Sequence, residues 1–226
     1  MAEQLHFDLP LHVALGPDDY FVSEANREAF AMVTGEADWP NGKLAVIGPE
    51  GSGKSHLARL WQVRTGALIL KAQDLDPAAD LPEAGARVVL EDGDHLAPEA
   101  EEYLFHLHNH LAATGGLLLL TGRRAPARWP LALPDLASRL QATTVIPVAD
   151  PDDLLLRAVL TKHFADRQLQ PSPRLIDWLL PRIERSFASA AWIVAALDEA
   201  ALSGGLVINQ SLARVILDKD HGNLEE

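Results

Sequence analysis

The sequence predicts an α/β fold: a phosphate-binding-loop domain on a central parallel five-stranded sheet, followed by a small all-helical lid domain. Three observations carry this. Five short apolar runs alternate with longer amphipathic segments, the octapeptide Gly48-Pro49-Glu50-Gly51-Ser52-Gly53-Lys54-Ser55 follows the first run, and strand-like runs stop after Ala149. Short apolar runs separated by helical spacing are the pattern of a parallel sheet buried on both faces, because each crossover helix covers a face.

The elements follow in order. Residues 1–17 are polar and punctuated by proline, and read as an extended arm. Residues 18–149 form the base domain. Its strands are expected at LAVI from Leu44, ALIL from Ala67, VVL from Val88, LLLL from Leu117 and TTVIPV from Thr143. Helical periodicity lies between them over Lys54 to Thr65 and Pro98 to Thr114. Residues 150–226 form the lid, with four helical segments at 150–168, 172–183, 186–202 and 209–219, several opening on the Asp, Ser or Asn that a helix N-cap wants.

The 226 residues carry a net charge of -13 and no cysteine. Zero cysteine excludes a disulfide framework and a thiolate zinc site. The acidic balance argues against strong direct DNA binding, since Lys and Arg neutralising phosphates supply most non-specific affinity. The cluster Arg123, Arg124 and Arg128 reads as a solvated loop or an internal ion-pair set. The first dozen residues lack a secretory pattern and no apolar stretch looks long enough to span a bilayer, so a cytoplasmic protein without membrane association is expected.

The octapeptide has the G-x-x-x-x-G-K-S form of a Walker A loop, with a buried strand before it and a helix after it, which is the context that gives the motif meaning. Its glycines let successive N–H groups converge on one anion, and the helix start at Lys54, Ser55 and His56 adds a partial positive charge. Lys54 is expected on the β and γ phosphates of ADP or ATP, and the Ser55 hydroxyl on Mg²⁺. An apolar strand ending in acid should follow, and RVVLEDGDHL at 87–96 supplies it. Glu91 is placed on the Mg²⁺ shell and Asp92 at the water-activating position. Asp92 is a shorter carboxylate than glutamate and reaches less far toward an attacking water, so weak or absent intrinsic hydrolysis is expected.

The order of these motifs resembles the AAA+ core of the DnaA family, and within it the short regulatory members of the Hda type. DDYFVSEANREAF at 18–30, LLLLTGRRAPARWP at 117–130 and LPDLASRLQATTVIPVADPDD at 133–153 carry the resemblance, which covers nearly the whole chain from residue 18. It implies that Phe21 and Val22 line the adenine side. It also implies that Arg139 is an arginine finger acting in trans on the γ phosphate held by a neighbouring subunit. Short length after Lys219 leaves no room for the initiator's helix-turn-helix domain, which favours the regulatory members. Gln4-Leu5-His6-Phe7-Asp8-Leu9-Pro10 resembles their glutamine-led sliding-clamp peptide, with Gln4 at the pocket rim and Leu5, Phe7 and Leu9 filling it. The implied partners are DnaA and the sliding clamp, the beta subunit of DNA polymerase III. The implied role is activation of DnaA-bound ATP hydrolysis, which inactivates the initiator. A homodimer is plausible for a fold whose sites lie at subunit edges.

Two positions depart from the family pattern. Arg123 stands in sensor 1 where an acidic or amide residue is usual, and Ala188 aligns with the sensor 2 arginine, a loss expected to reduce preference for ATP over ADP. Arg185 is a possible substitute. The alternatives are an autonomous P-loop NTPase or kinase, and a DnaA-like loader acting on DNA or helicase. His106, His108 and His110 share a helix but no third ligand is evident, and Trp178 and Trp192 fall at apolar lid positions that suit a core better than base stacking.

Overall fold

The structure is a computed structural model that describes residues 20–35 and 38–222, with side chains to residue 218. The arm residues Gln4, Leu5, Phe7 and Leu9 lie outside the described residues.

Five parallel strands form one sheet in the order β2-β3-β4-β1-β5: β1 (Lys43–Ile47), β2 (Leu68–Lys71), β3 (Arg87–Glu91), β4 (Leu117–Gly122) and β5 (Thr144–Pro147). All five occur where the apolar runs predict them. The period-2 alternation of a strand sorts their side chains onto two faces. Leu44, Val46, Val89, Leu119 and Ile146 join α1 (Arg27–Thr34) and α2 (Lys54–Thr65) in one core with Trp39 and Trp61. Ala45, Val88, Leu90, Leu118 and Leu120 face the other way, onto α3 (Glu101–Thr114) and α4 (Pro134–Gln141). Both faces are covered, which is why the strands read as continuous apolar runs rather than alternating ones.

α2 has the limits read from the sequence, starting after a left-handed Gly53 and stopping at a left-handed Gly66. α3 begins three residues later than its periodicity suggests, because Pro98–Ala100 closes a 3-10 turn first. α1 and α4 were not marked as helices by the sequence. Each has eight residues, too short for periodicity to stand out, and each is held by tertiary packing instead.

Four helices follow the sheet: α5 (Asp153–Asp166), α6 (Pro173–Leu179), α7 (Phe187–Gly204) and α8 (Gln210–Gly222). Side-chain caps start all four, with Asp152, Ser172, Ser186 and Asn209 accepting from the N–H groups of Leu155, Leu175, Ser189 and Leu212. Their common core contains Leu156, Phe164, Leu179, Ile193 and Leu217. Trp178 packs half-buried against this core beneath the Arg182 guanidinium, 4.3 Å from its ring centre, whereas Trp192 is partly exposed and contributes less than expected. α7 corrects one expectation: its 18 residues and mean hydropathy of 1.2 meet the length and composition of a membrane span. One face of that helix, with Phe187, Ala190, Ile193, Val194 and Leu197, is nevertheless buried within the chain, and it carries Asp198 opposite Arg167.

Glu101 ties α3 to α4. Its buried carboxylate accepts from the N–H groups of Ala132 at 2.9 Å and Leu133 at 2.6 Å, so one side chain fixes the turn from which α4 starts. Hydrogen bonds to a charged acceptor contribute more than neutral ones, and removing the acceptor strands two amides. Glu101→Ala is expected to lower unfolding free energy by about 3 kcal/mol and Glu101→Gln by about half as much, read by urea denaturation.

Candidate functional site

β1 sits between β4 and β5, although β2 follows it in sequence, so the crevice beyond its carboxyl end lies at the point where the strand order reverses. Ligands of open α/β sheets bind at such points. The octapeptide leaves β1 there. Ile47 pairs with Gly122 in the sheet, and the Gly48 N–H donates to the Gly122 carbonyl at 3.2 Å, which fastens the loop to the end of β4. Close approach explains Gly48 itself: a Cβ would lie 2.9 Å from the Val148 carbonyl oxygen. Gly51 and Gly53 adopt φ of +77° and +87°, conformations open to glycine and strained for other residues.

The Lys54 ammonium lies inside the curl of the loop. It donates to the carbonyls of Gly48 at 2.9 Å and Pro49 at 2.7 Å and approaches Ser52 Oγ at 3.4 Å. Burial pushes its pKa down, while the negative charges of Asp92 and Asp94 oppose that shift. Among the described residues no side chain caps α2, and the helix starts at the same crevice, which turns its N-terminal end toward it. Pro49, Glu50 and Ser55 are exposed at its rim, and Ser52 is buried beneath it.

The acidic turn is arranged differently from the simplest expectation. Glu91 ends β3 with its side chain buried. Asp92 is exposed, takes a left-handed φ of 52° and donates its N–H to Thr121 Oγ1 at 3.1 Å. Asp94, which sequence reasoning passed over, completes the set. Its Oδ2 accepts from the Arg123 N–H at 3.1 Å, and its Oδ1 is buried against Gly122 without a hydrogen-bond partner among the described residues. Between them, Gly93 lies under Trp129, whose ring leaves no room for a Cβ. The pattern Glu-Asp-Gly-Asp thus puts two carboxylates near Lys54, and the alternation of acids around a glycine was the available signal.

Tyr20 is a second residue the sequence reading missed. It stacks on Phe30 with ring centres 5.6 Å apart, meets His56 edge to face at 5.4 Å, and closes over Gly53. The adjacent pair read as adenine-lining is split: Phe21 is half-buried and its carbonyl accepts from Asn26 Nδ2 at 2.9 Å, while Val22 is exposed. The start of α7 also reaches the loop, since a Cβ on Gly51 would lie 3.2 Å from Phe187 Cβ. Ala188, the next residue, is exposed. Arg185 turns elsewhere, to Asp153 at 2.9 Å, whereas Arg123 forms an ion pair with Glu50 of the loop.

Arg139 is not part of this crevice. It is exposed on α4 with its guanidinium 5.2 Å from the centre of the Phe105 ring, and its charge acts on Lys43 and His108. Lys43 starts β1, and the loop leaves the other end of that strand. Arg139 and the loop thus occupy opposite ends of the sheet.

This geometry defines a class of protein: a P-loop α/β domain carrying a helical lid, with the strand order of the AAA+ fold. No family model matches the chain. Solved structures with the same architecture include domain III of the Thermotoga maritima replication initiation protein DnaA, at a TM-score of 0.71 and 17% identity over 93% of this chain and 98% of that one. AMPPCP-bound DnaA from Aquifex aeolicus gives a TM-score of 0.59 at 16% identity, covering 84% of this chain and 67% of that one. The Thermotoga maritima RuvB Holliday junction branch migration motor gives 0.56 at 17% identity, covering 84% and 64%. The particular fold is DnaA-like AAA+.

The cationic end of the sheet carries a pH signature. His108 is buried, and burial together with the nearby Lys43 and Arg139 charges lowers its pKa to about 4, against a smaller opposing hydrogen bond to the Asn109 side chain. An imidazole whose folded pKa lies below its unfolded value of about 6.5 binds fewer protons when folded, so its stabilisation is complete above pH 6.5 and is lost as pH falls toward 4. Between pH 7 and 4.5, His108→Gln should lose about 2 kcal/mol less unfolding free energy than the unsubstituted protein, measured by denaturant titration at each pH.

Proposed function

We propose that this chain is a nucleotide-binding AAA+ regulator of chromosomal replication initiation, one that promotes hydrolysis of ATP held by DnaA rather than turning over much ATP itself. The observation that carries this reading is the position of Arg139: exposed, paired with an aromatic ring rather than a carboxylate, and at the far end of the sheet from its own loop. Five residues of strand separate the two ends, about 16 Å, which is too far for a guanidinium to reach phosphates on its own chain. Its charge is offered to a nucleotide on another chain. A guanidinium there neutralises charge developing on the transferred phosphoryl group.

The residues present fit an ADP or ATP with Mg²⁺. The loop from Gly48 to Ser55 and the His56 N–H would cradle the phosphates, Ser55 and the acidic turn at Glu91, Asp92 and Asp94 would hold the ion, and Phe21 and Val22 with Tyr20 would border the base. Mg²⁺ would supply charge neutralisation between the β and γ phosphates. Asp92 is directed by its left-handed backbone and has the shorter of the two acidic side chains, which supports weak intrinsic hydrolysis.

The domain division at residues 17 and 149 belongs to the same reading, with the arm bringing Gln4, Leu5, Phe7 and Leu9 to the sliding clamp. The net charge of -13 favours protein partners over direct DNA binding. Operation in the cytoplasm, and pairing of two copies, follow from that role. The autonomous enzyme has no comparable support, because Arg139 would then serve nothing.

Two outcomes are expected. In single-turnover assays of DnaA-bound ATP with clamp on DNA, Arg139→Ala should reduce the stimulated rate by about 10³-fold while leaving the thermal unfolding of the regulator intact; an unchanged rate sinks the finger assignment. In titrations against the clamp at fixed ionic strength, Gln4→Ala should abolish binding, and equal binding by both proteins would remove the arm from the interface.

A further inference from the structure

Among the departures from the DnaA pattern, Arg123 is the one the structure puts to use. Its backbone is fixed from two sides. It follows Gly122, whose carbonyl accepts the Gly48 N–H, and its own N–H donates to Asp94 Oδ2. From that anchor the side chain crosses to Glu50, the third residue of the loop, and forms an ion pair with it. The contact closes a ring from β4 through the loop and back. Lys54, whose ammonium marks where the β and γ phosphates would lie, has its pKa lowered in part by the Arg123 charge, so the guanidinium stands within electrostatic reach of that position.

Among the described residues of the lid none supplies such a cation: Phe187 is the residue beside Gly51, the exposed Ala188 follows it, and Arg185 is engaged with Asp153. We infer that Arg123 is the residue that distinguishes a nucleoside triphosphate from a diphosphate in this chain, exchanging the Glu50 carboxylate for the γ phosphate when a triphosphate occupies the loop. This rests on the nucleotide-binding reading and adds to it the residue that sets its ligand preference.

The exchange is chemically economical. Both partners of the pair are more than half exposed, and ion pairs in water contribute little, so releasing Glu50 costs little. The γ phosphate offers a planar guanidinium two acceptor oxygens and a higher charge than a carboxylate, and the crevice is drier than the rim. A diphosphate lacks the third phosphoryl group, and Arg123 then stays on Glu50. Glu50 sets the threshold: it competes with the γ phosphate for the guanidinium and repels it directly. These two effects of Glu50 differ in one respect, since competition requires Arg123 and repulsion does not.

The test is calorimetric titration of the full chain with Mg²⁺ and either ADP or a non-hydrolysable ATP analogue, for the unsubstituted protein, Arg123→Ala, Glu50→Gln, the double variant and Lys54→Ala. Arg123→Ala should weaken the triphosphate by about tenfold and the diphosphate by less than about twofold, the size expected for losing a charge-assisted hydrogen bond to one ligand only. Glu50→Gln should tighten the triphosphate by about threefold, and most of that gain should vanish in the Arg123→Ala background, which is the signature of competition. Lys54→Ala should weaken both ligands. An Arg123→Ala protein with an unchanged ratio of triphosphate to diphosphate affinity overturns the inference while leaving nucleotide binding in place. Failure of the unsubstituted protein to bind either nucleotide overturns the binding reading and this inference together.

Discussion

The Gly48 N–H to Gly122 carbonyl hydrogen bond joins the two segments on which the candidate site depends. It extends the β1–β4 register by one step beyond Ile47 and Gly122, at the place where both strands stop being sheet. Everything chemical in the crevice is within a few residues of it. Lys54 folds back onto the Gly48 carbonyl, Asp94 holds the Arg123 amide, and Thr121 accepts from the Asp92 amide. A parallel sheet has a side-chain period of two, so a slip of one residue between β1 and β4 would send Val46 to the α3 face and part Gly48 from the Gly122 carbonyl. The buried rows Leu44, Val46 and Leu119 on one side, and Ala45, Leu118 and Leu120 on the other, are what forbid the slip.

The sheet also separates charge. At the carboxyl ends of the strands Lys54 lies among Asp92, Asp94 and Glu50, three anionic groups that outnumber the cations Lys54 and Arg123. At the amino ends Lys43 and Arg139 lie beside a histidine that burial keeps neutral. Lys43 is buried, so of the two cations only Arg139 presents its charge to water, where screening confines its reach to about 10 Å at ordinary ionic strength.

Much of this was legible in the sequence because burial on both faces makes strands conspicuous. The five runs and the limits of α2 follow from apolar length and from glycine at both ends of the helix. The capped lid helices announce themselves through Asp152, Ser172 and Ser186. What escaped depends on contacts between distant positions. Tyr20 and Gly53 are thirty-odd residues apart, Asp94 meets the amide of Arg123 across two strands, and Glu101 holds a turn at Ala132. No local period encodes such pairs. Arg123 was visible as an oddity of sequence, and only the crossing to Glu50 gives the oddity a direction.

The strengths of these contacts are graded in a way that matches what each must do. The scaffold under α4 is held by a buried carboxylate on two amides, an arrangement expensive to break and without a replacement partner. Arg123 and Arg185, by contrast, are held by exposed carboxylates that water and ions already compete for. A ligand can alter an equilibrium only by its differential affinity for the two arrangements. Rigid placement of the Arg123 backbone with loose retention of its guanidinium meets that condition, because the free energy of binding a phosphate is then not consumed in moving the chain that carries the charge.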